Sequence, residues 1–161
     1  MIASNTGPLI ALAKANRLDL LERLFGQIEI PPAVQRELFA EKMPEAEHLD
    51  EALARFIQIA PTPAIPPAVQ IVTAQLGAGE QQAIALAFER KTVLLIDDHA
   101  GRAAARRLGL SVTGVAGVLI RAKESGLIPA VRPVLEEIRQ RGYWLSDELL
   151  ETAIKLAGEK N

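Results

Sequence analysis

Val93-Leu94-Leu95-Ile96, followed at once by Asp97-Asp98, constrains this chain more than any other stretch. Four consecutive apolar residues, each β-branched or leucine, read as a strand buried on both faces. Such a strand belongs in a parallel sheet covered by helices. Two carboxylates then stand at its carboxyl end. A helical stretch follows over 100–108, with Ala100, Ala104 and Leu108 on one stripe and Arg102 and Arg106 on another. In open α/β sheets ligands bind just beyond the carboxyl ends of the strands, so acid chemistry is expected at this spot.

The rest of the chain keeps the alternation of strand and helix. Met1-Ile2-Ala3 is a short first strand. Thr6 is placed to cap the next helix, 9–15, with Pro8 in its first turn. Asn16 breaks that helix, and a second covers 18–25, closed by Gly26. Residues 27–30 alternate like a strand. Pro31-Pro32 launches a helix through Glu41, with Val34 and Leu38 inward and Glu37 and Glu41 on one side. A polar helix over 45–54, a strand over 56–60 and a connector stiffened by Pro61, Pro63, Pro66 and Pro67 lead to a short helix, 68–75. A loop at 76–79 opens an amphipathic helix over 80–89, with Ala83, Ile84, Ala87 and Phe88 on its buried face. Beyond the acidic pair come a strand at 111–113 and helices at 115–124, 131–140 and 147–157. Gly126 ends the first of these, and Ser146 caps the last, whose first turn carries Asp147 and Glu148. This order predicts a parallel α/β sheet with right-handed crossovers, and 161 residues suit one domain.

Composition removes several chemistries. With 18 basic and 20 acidic residues the net charge is −2, so there is no global basic field, although local patches decide nucleic-acid binding. The absence of cysteine removes disulfides, thiolate nucleophiles and thiolate metal sites. The apolar run 8–13 is too short for a secretory leader and meets Lys14, and nothing approaches the roughly 20 apolar residues of a membrane span. The expected location is the cytoplasm, with no membrane partner.

Glu80 is the informative oddity, because it heads the buried stripe of its helix and not the wet face. Taken alone it is equally a first-turn glutamate favoured by the helix dipole, just as an Asp at a helix start is a routine cap. Convergence of such groups is another matter. Two carboxylates about 4 Å apart repel by about 4 kcal/mol at an effective dielectric of 20, so a fold that gathers several needs a proton or a cation. Oxygen donors alone suit Mg²⁺ or Mn²⁺, ions that support phosphodiester hydrolysis.

Other motifs fall away. Gly77-Ala78-Gly79 lacks the third glycine of a dinucleotide loop and the lysine of a P-loop. His48 and His99 fit no zinc spacing, and there is no serine elbow. Asp97-Asp98 resembles the acidic pair of a receiver domain, but Asp147 is the only later aspartate and lies on the terminal helix. Tyr143 and Trp144 are too isolated for a base-stacking platform and are expected to pack the last helix.

Four segments together resemble a PIN domain: Ser-Asn-Thr-Gly-Pro-Leu-Ile-Ala-Leu-Ala (4–13), Pro-Pro-Ala-Val-Gln-Arg-Glu-Leu (31–38), Gly-Ala-Gly-Glu-Gln-Gln-Ala-Ile-Ala-Leu-Ala (77–87) and Leu-Leu-Ile-Asp-Asp-His-Ala-Gly-Arg (94–102). With the tail from Gly126 through Ser146, they are similar to uncharacterised prokaryotic PIN-like proteins close to VapC toxins. The resemblance implies a three-layer α/β/α domain over 1–161 with a parallel sheet of order 3-2-1-4-5, and 127–161 as a helical extension packed on it. It further implies a Mg²⁺- or Mn²⁺-dependent endoribonuclease, the toxin of a toxin–antitoxin pair and a homodimer, whose partners are RNA and an antitoxin protein. The family's acids fall on Asn5, Glu37, Glu80 and Asp98, with Asp97 beside the last and Thr113 at the late position. In that scheme Asp98 and Glu80 bind metal, Glu37 binds it directly or through water, and Asp97 tunes or shares the site. Asn5 orients a water or a phosphate oxygen. An amide there brings a neutral oxygen where the family usually offers a charged one, which weakens cation binding. Arg102, Arg106 and Arg107 lie in reach of RNA phosphates or form a solvated helix face. The competing reading is the same fold with little or no catalytic power, binding RNA or a protein.

Overall fold

The computed structural model describes residues 1–160. The domain expected over 1–161 therefore has its final residue, Asn161, outside the described part. Five parallel strands form one sheet in the order β3-β2-β1-β4-β5, the order the resemblance implies. They are β1 (Ile2–Ser4), β2 (Ile28–Ile30), β3 (Ile57–Ile59), β4 (Leu94–Leu95) and β5 (Val112–Thr113). β1 is central: Ile2 faces Ile28 on one side and Ala3 faces Leu94 on the other. The chain leaves β1 for β2 and β3 on one side, then crosses back from β3 to place β4 on the other side of β1. That reversal opens a crevice at the carboxyl ends of these two strands.

The middle strands are short and covered on both faces. All residues of β1, β2 and β4 are buried, so β2 does not alternate as its sequence suggests. Its one polar residue, Glu29, is buried yet satisfied: Arg90 Nε and Nη2 reach its two oxygens at 2.9 and 3.3 Å. The paired part of β4 is only Leu94–Leu95, but Ile96 remains fully buried and donates its N–H to the Thr113 carbonyl. Apolar burial on this scale supplies the folding drive, at roughly 25 cal/mol per Å².

The helices are α1 (Thr6–Lys14), α2 (Asp19–Phe25), α3 (Pro32–Leu38), α4 (Ala46–Arg55), α5 (Pro67–Thr73), α6 (Ala78–Arg90), α7 (His99–Arg107), α8 (Val115–Glu124), α9 (Arg132–Gln140) and α10 (Asp147–Leu156). Several differ from the sequence expectation in instructive ways. Asn5 and not Thr6 occupies the N-cap of α1, and its side chain makes no capping bond. α3 stops at Leu38, so Glu41 leaves the helix and does not share a face with Glu37. α6 begins at Ala78, which turns the expected loop into a first helical turn holding Gly79 and Glu80. In α7 the buried stripe is Gly101, Ala104 and Ala105, while Ala100 is exposed. Trp144 does not pack the last helix; it is 82% exposed. No helix among the described residues is long and apolar enough to cross a membrane.

Candidate functional site

The loops beyond β1, β4 and β5 and the first turns of α1, α6 and α7 surround a cleft of about 890 Å³. Asn5, Glu37, Glu80, Asp97, Asp98, Thr113 and Arg102 all line it, although they come from five separate stretches of chain. Arg106 and Arg107 do not; both are exposed further along α7. His99 lines the cleft as an exposed first-turn residue.

Each side chain is set by its local backbone. Asn5 follows directly on β1 and is only 6% exposed, yet its Oδ1 has no hydrogen-bond donor. Burying an unsatisfied amide oxygen costs about 1–3 kcal/mol, so this acceptor is a buried polar atom of the cleft left open to a ligand. Thr6 Oγ1, one residue on, donates to Glu37 Oε2 at 2.5 Å and ties α3 to the start of α1. Glu37 also needs Gly79: a Cβ at that position would sit 2.4 Å from Glu37 Oε1. The glycine that looked like loop punctuation is therefore a recess for a carboxylate on another helix.

Asp97 and Asp98 are adjacent in sequence but do different things. Asp98 caps α7, its Oδ2 accepting from Gly101 N at 2.7 Å, and it is otherwise exposed. Asp97 has both oxygens engaged. Val115 N donates to Oδ1 at 3.0 Å and Tyr143 Oη donates to Oδ2 at 2.7 Å. A Cβ on Gly114 would lie 2.2 Å from Asp97 Oδ1, so that glycine is what lets the carboxylate approach the start of α8. Burial pushes the Asp97 pKa up, against the pull of Tyr143, Val115 and Arg102. Tyr143 is pushed up strongly, first by burial and then by the Asp97 charge it faces. Its proton stays on the phenol, and it serves as a donor.

Arg102 is a tether more than a solvated charge. Its Nη1 donates to the Ile96 carbonyl at 2.8 Å. Desolvation, then the neighbouring Arg106, lowers its pKa, while Asp97 raises it. The guanidinium thus binds the end of β4 to α7 on the wall of the cleft. Tyr143, Gly79 and Gly114 are the participants that sequence reasoning missed. Their roles depend on contacts between chain segments far apart, and no local pattern signals them.

The donor set is all oxygen, as a hard cation requires. The buried, unpartnered Asn5 oxygen and the Glu37 carboxylate seated in the recess over Gly79 fit such an ion. However, among the described residues no three carboxylate or imidazole side chains stand close enough to hold one ion between them. Asp98 is folded back on its own helix and Asp97 is turned onto Tyr143 and Val115.

Comparison with known proteins agrees with this architecture. Residues 1–159 match the model of the DUF3368 family, a PIN domain. No curated protein matches the chain. Five chains of known structure do. One is a PilT N-terminus domain protein, SSO1118, from the hyperthermophilic archaeon Sulfolobus solfataricus P2. It is 21% identical, with a TM-score of 0.59, and the match covers 77% of this chain and 95% of that one. At that identity the likeness concerns the fold alone. PIN domains are generally nucleases that need Mg²⁺. With the family model spanning nearly the whole sequence, the chain belongs to the PIN-domain family.

Proposed function

We propose that this chain is a Mg²⁺-dependent endoribonuclease acting in the cytoplasm as the toxin of a toxin–antitoxin pair, with a homodimer as its working form. The observation that carries the reading is the Asn5 oxygen, buried and without a donor, in a cleft shared with four carboxylates. None of Glu37, Glu80 and Asp98 has a cationic side-chain partner among the described residues.

A cation would draw its ligands from Glu80, Glu37 and Asp98, which line the cleft without meeting at one point, with the Asn5 oxygen as a neutral donor beside them. A bound Mg²⁺ supplies activation of water and stabilisation of the charge that develops on a phosphodiester. The chain's own residues contribute positioning. Thr6 fixes Glu37 by donating to Oε2. Gly101 N holds Asp98 by one oxygen, which leaves the other free. Asp97 tunes the site from behind: with both oxygens occupied it holds α8 and Tyr143 in register with the end of β4. Arg102, bonded to Ile96, presents a positive charge on the cleft wall toward an RNA phosphate.

One observation favours the rival reading, a catalytically weak module that binds RNA or protein. Asn5 supplies no charge, and no three acidic groups cluster. Incubating the purified protein with mixed RNA and Mg²⁺ or Mn²⁺ separates the two. The nuclease reading expects cleavage that EDTA abolishes and that Asp98→Ala and Glu80→Ala each reduce by on the order of 100-fold. Cleavage indifferent to both substitutions, or no cleavage with either ion, sinks it.

A further inference from the structure

The cleft that holds the acids also has an apolar lip. Trp144 is 82% exposed and Leu149 40% exposed, and both line the same cavity as Glu80 and Asp98. Trp144 is not a loosely hung side chain. Tyr143 before it is bonded to Asp97 at 2.7 Å, and Leu145 after it is buried. Ser146 then caps α10 by accepting from Leu149 N at 3.0 Å. The segment is thus fastened on both sides, and the indole alone points outward. Leaving a large aromatic ring in water forfeits the stabilisation its burial would bring, although the same segment buries its neighbour Leu145.

We propose that Trp144, backed by Leu149, is a substrate-positioning residue that stacks on an unpaired nucleobase next to the phosphodiester at the acidic site. The inference rests on reading the cleft as a nuclease site and adds what holds the strand there. The carboxylates of the cleft repel phosphates, and a net charge of −2 offers no compensating field. Arg102, the one arginine lining the cleft, is a single positive charge against four carboxylates. A neutral contact avoids this conflict, since base–aromatic stacking draws on the π-face of any base. The base must be unpaired and free of its neighbours, because in a duplex both of its faces are covered. A protein segment is the less favoured occupant, because the cavity that Trp144 and Leu149 line together is the one that holds the acids.

Trp144 is the only tryptophan in the chain, so intrinsic fluorescence reports on it directly. The wild-type protein, in low salt with EDTA so that nothing is cleaved, is titrated with a short unstructured RNA. The same RNA with abasic sites, and as a duplex with its complement, serve as further probes. Saturable quenching by the single strand, with little from the abasic or duplex forms, supports stacking. In parallel, anisotropy of a labelled strand should show affinity reduced about tenfold by Trp144→Ala and restored to within about threefold by Trp144→Phe. Circular dichroism checks that each variant is folded. Equal quenching by the abasic strand, no quenching at all, or unchanged affinity in Trp144→Ala overturns the proposal. Because these readouts need no turnover, stacking without cleavage would overturn the nuclease reading alone. Cleavage with unaltered KM in Trp144→Ala would overturn the stacking alone.

Discussion

Carboxylates set into the fold and carboxylates set round the cleft are treated in opposite ways. Outside the cleft, Glu29, Glu45 and Glu159 are matched. Glu45, buried, lies 2.9 Å from Lys14 Nζ, an ion-pair distance although the angles fall short of a proper hydrogen bond. Glu29 takes a two-pronged contact from Arg90, whose pKa that contact raises. Glu159 gathers Val131 N, Arg132 N and Lys123 Nζ. At the carboxyl ends of β1 and β4 the pattern reverses: Glu37 and Asp98 each receive one neutral donor and no side-chain cation. Matched carboxylates hold a fold together. Unmatched ones that share a cleft raise its energy, and they are expected where a ligand supplies the missing charge.

The sharpest way to break this contrast is to delete one carboxylate from each class and compare stability without metal. Glu45→Gln removes the partner of a half-buried lysine and should destabilise by about 3 kcal/mol. Asp98→Asn keeps a competent cap for α7 and relieves repulsion, so its unfolding free energy in EDTA should equal or slightly exceed that of the wild type. Added Mg²⁺ should then raise the melting temperature of the wild type and not of Asp98→Asn. If Asp98→Asn unfolds as easily as Glu45→Gln, the rim acids are structural and the contrast is void.

How far each side of the contrast was legible in the sequence follows from the range of the interactions. Val93–Ile96 announced a doubly buried strand because burial leaves its mark on consecutive residues, and helix 115–124 was readable to the residue. The strand order came from the likeness of four motifs to a known family, not from periodicity. Boundaries slipped where side chains from elsewhere intervene. Gly79 looked like a loop residue because its partner, the Glu37 carboxylate, lies on α3. The sequence separates Asp98 as a ligand from Asp97 as a neighbour that tunes or shares the site, but does not show that one oxygen of Asp97 belongs to Tyr143, 46 residues away. The isolation of Tyr143 and Trp144 in the sequence argues for packing and against base stacking, and only the fold shows that Tyr143 and Leu145 take the inward places on either side of Trp144.

Asn5 tests the cleft side at its weakest point. Asn5→Asp puts a charge on a side chain that is 6% exposed and has no donor at Oδ1. Without metal this should destabilise by about 2 kcal/mol, the cost of an uncompensated buried group. With Mg²⁺ the loss should be recovered, and the midpoint of a metal titration followed by melting temperature should fall several-fold. An Asn5→Asp protein as stable as the wild type in EDTA, with an unchanged titration, would put this oxygen outside the cation's reach.

Glu159 tests the matched side at its smallest expected effect. Burial of its carboxylate favours the protonated form, but hydrogen bonds from Val131 N and Arg132 N and the contact with Lys123 outweigh it and hold its pKa below the ordinary range. A group whose native pKa is depressed adds stability above its unfolded value of about 4.3, and that stability is lost as pH falls through the lower native value. Glu159→Gln should therefore cost about 1 kcal/mol at neutral pH, and the two unfolding curves should converge below about pH 4. Denaturant unfolding across pH 3–7 measures both. A gap that persists undiminished at pH 3 would mean that Glu159 acts through the shape of its contacts and not through its charge, and the distinction between matched and unmatched carboxylates would then rest on Glu29 and Glu45.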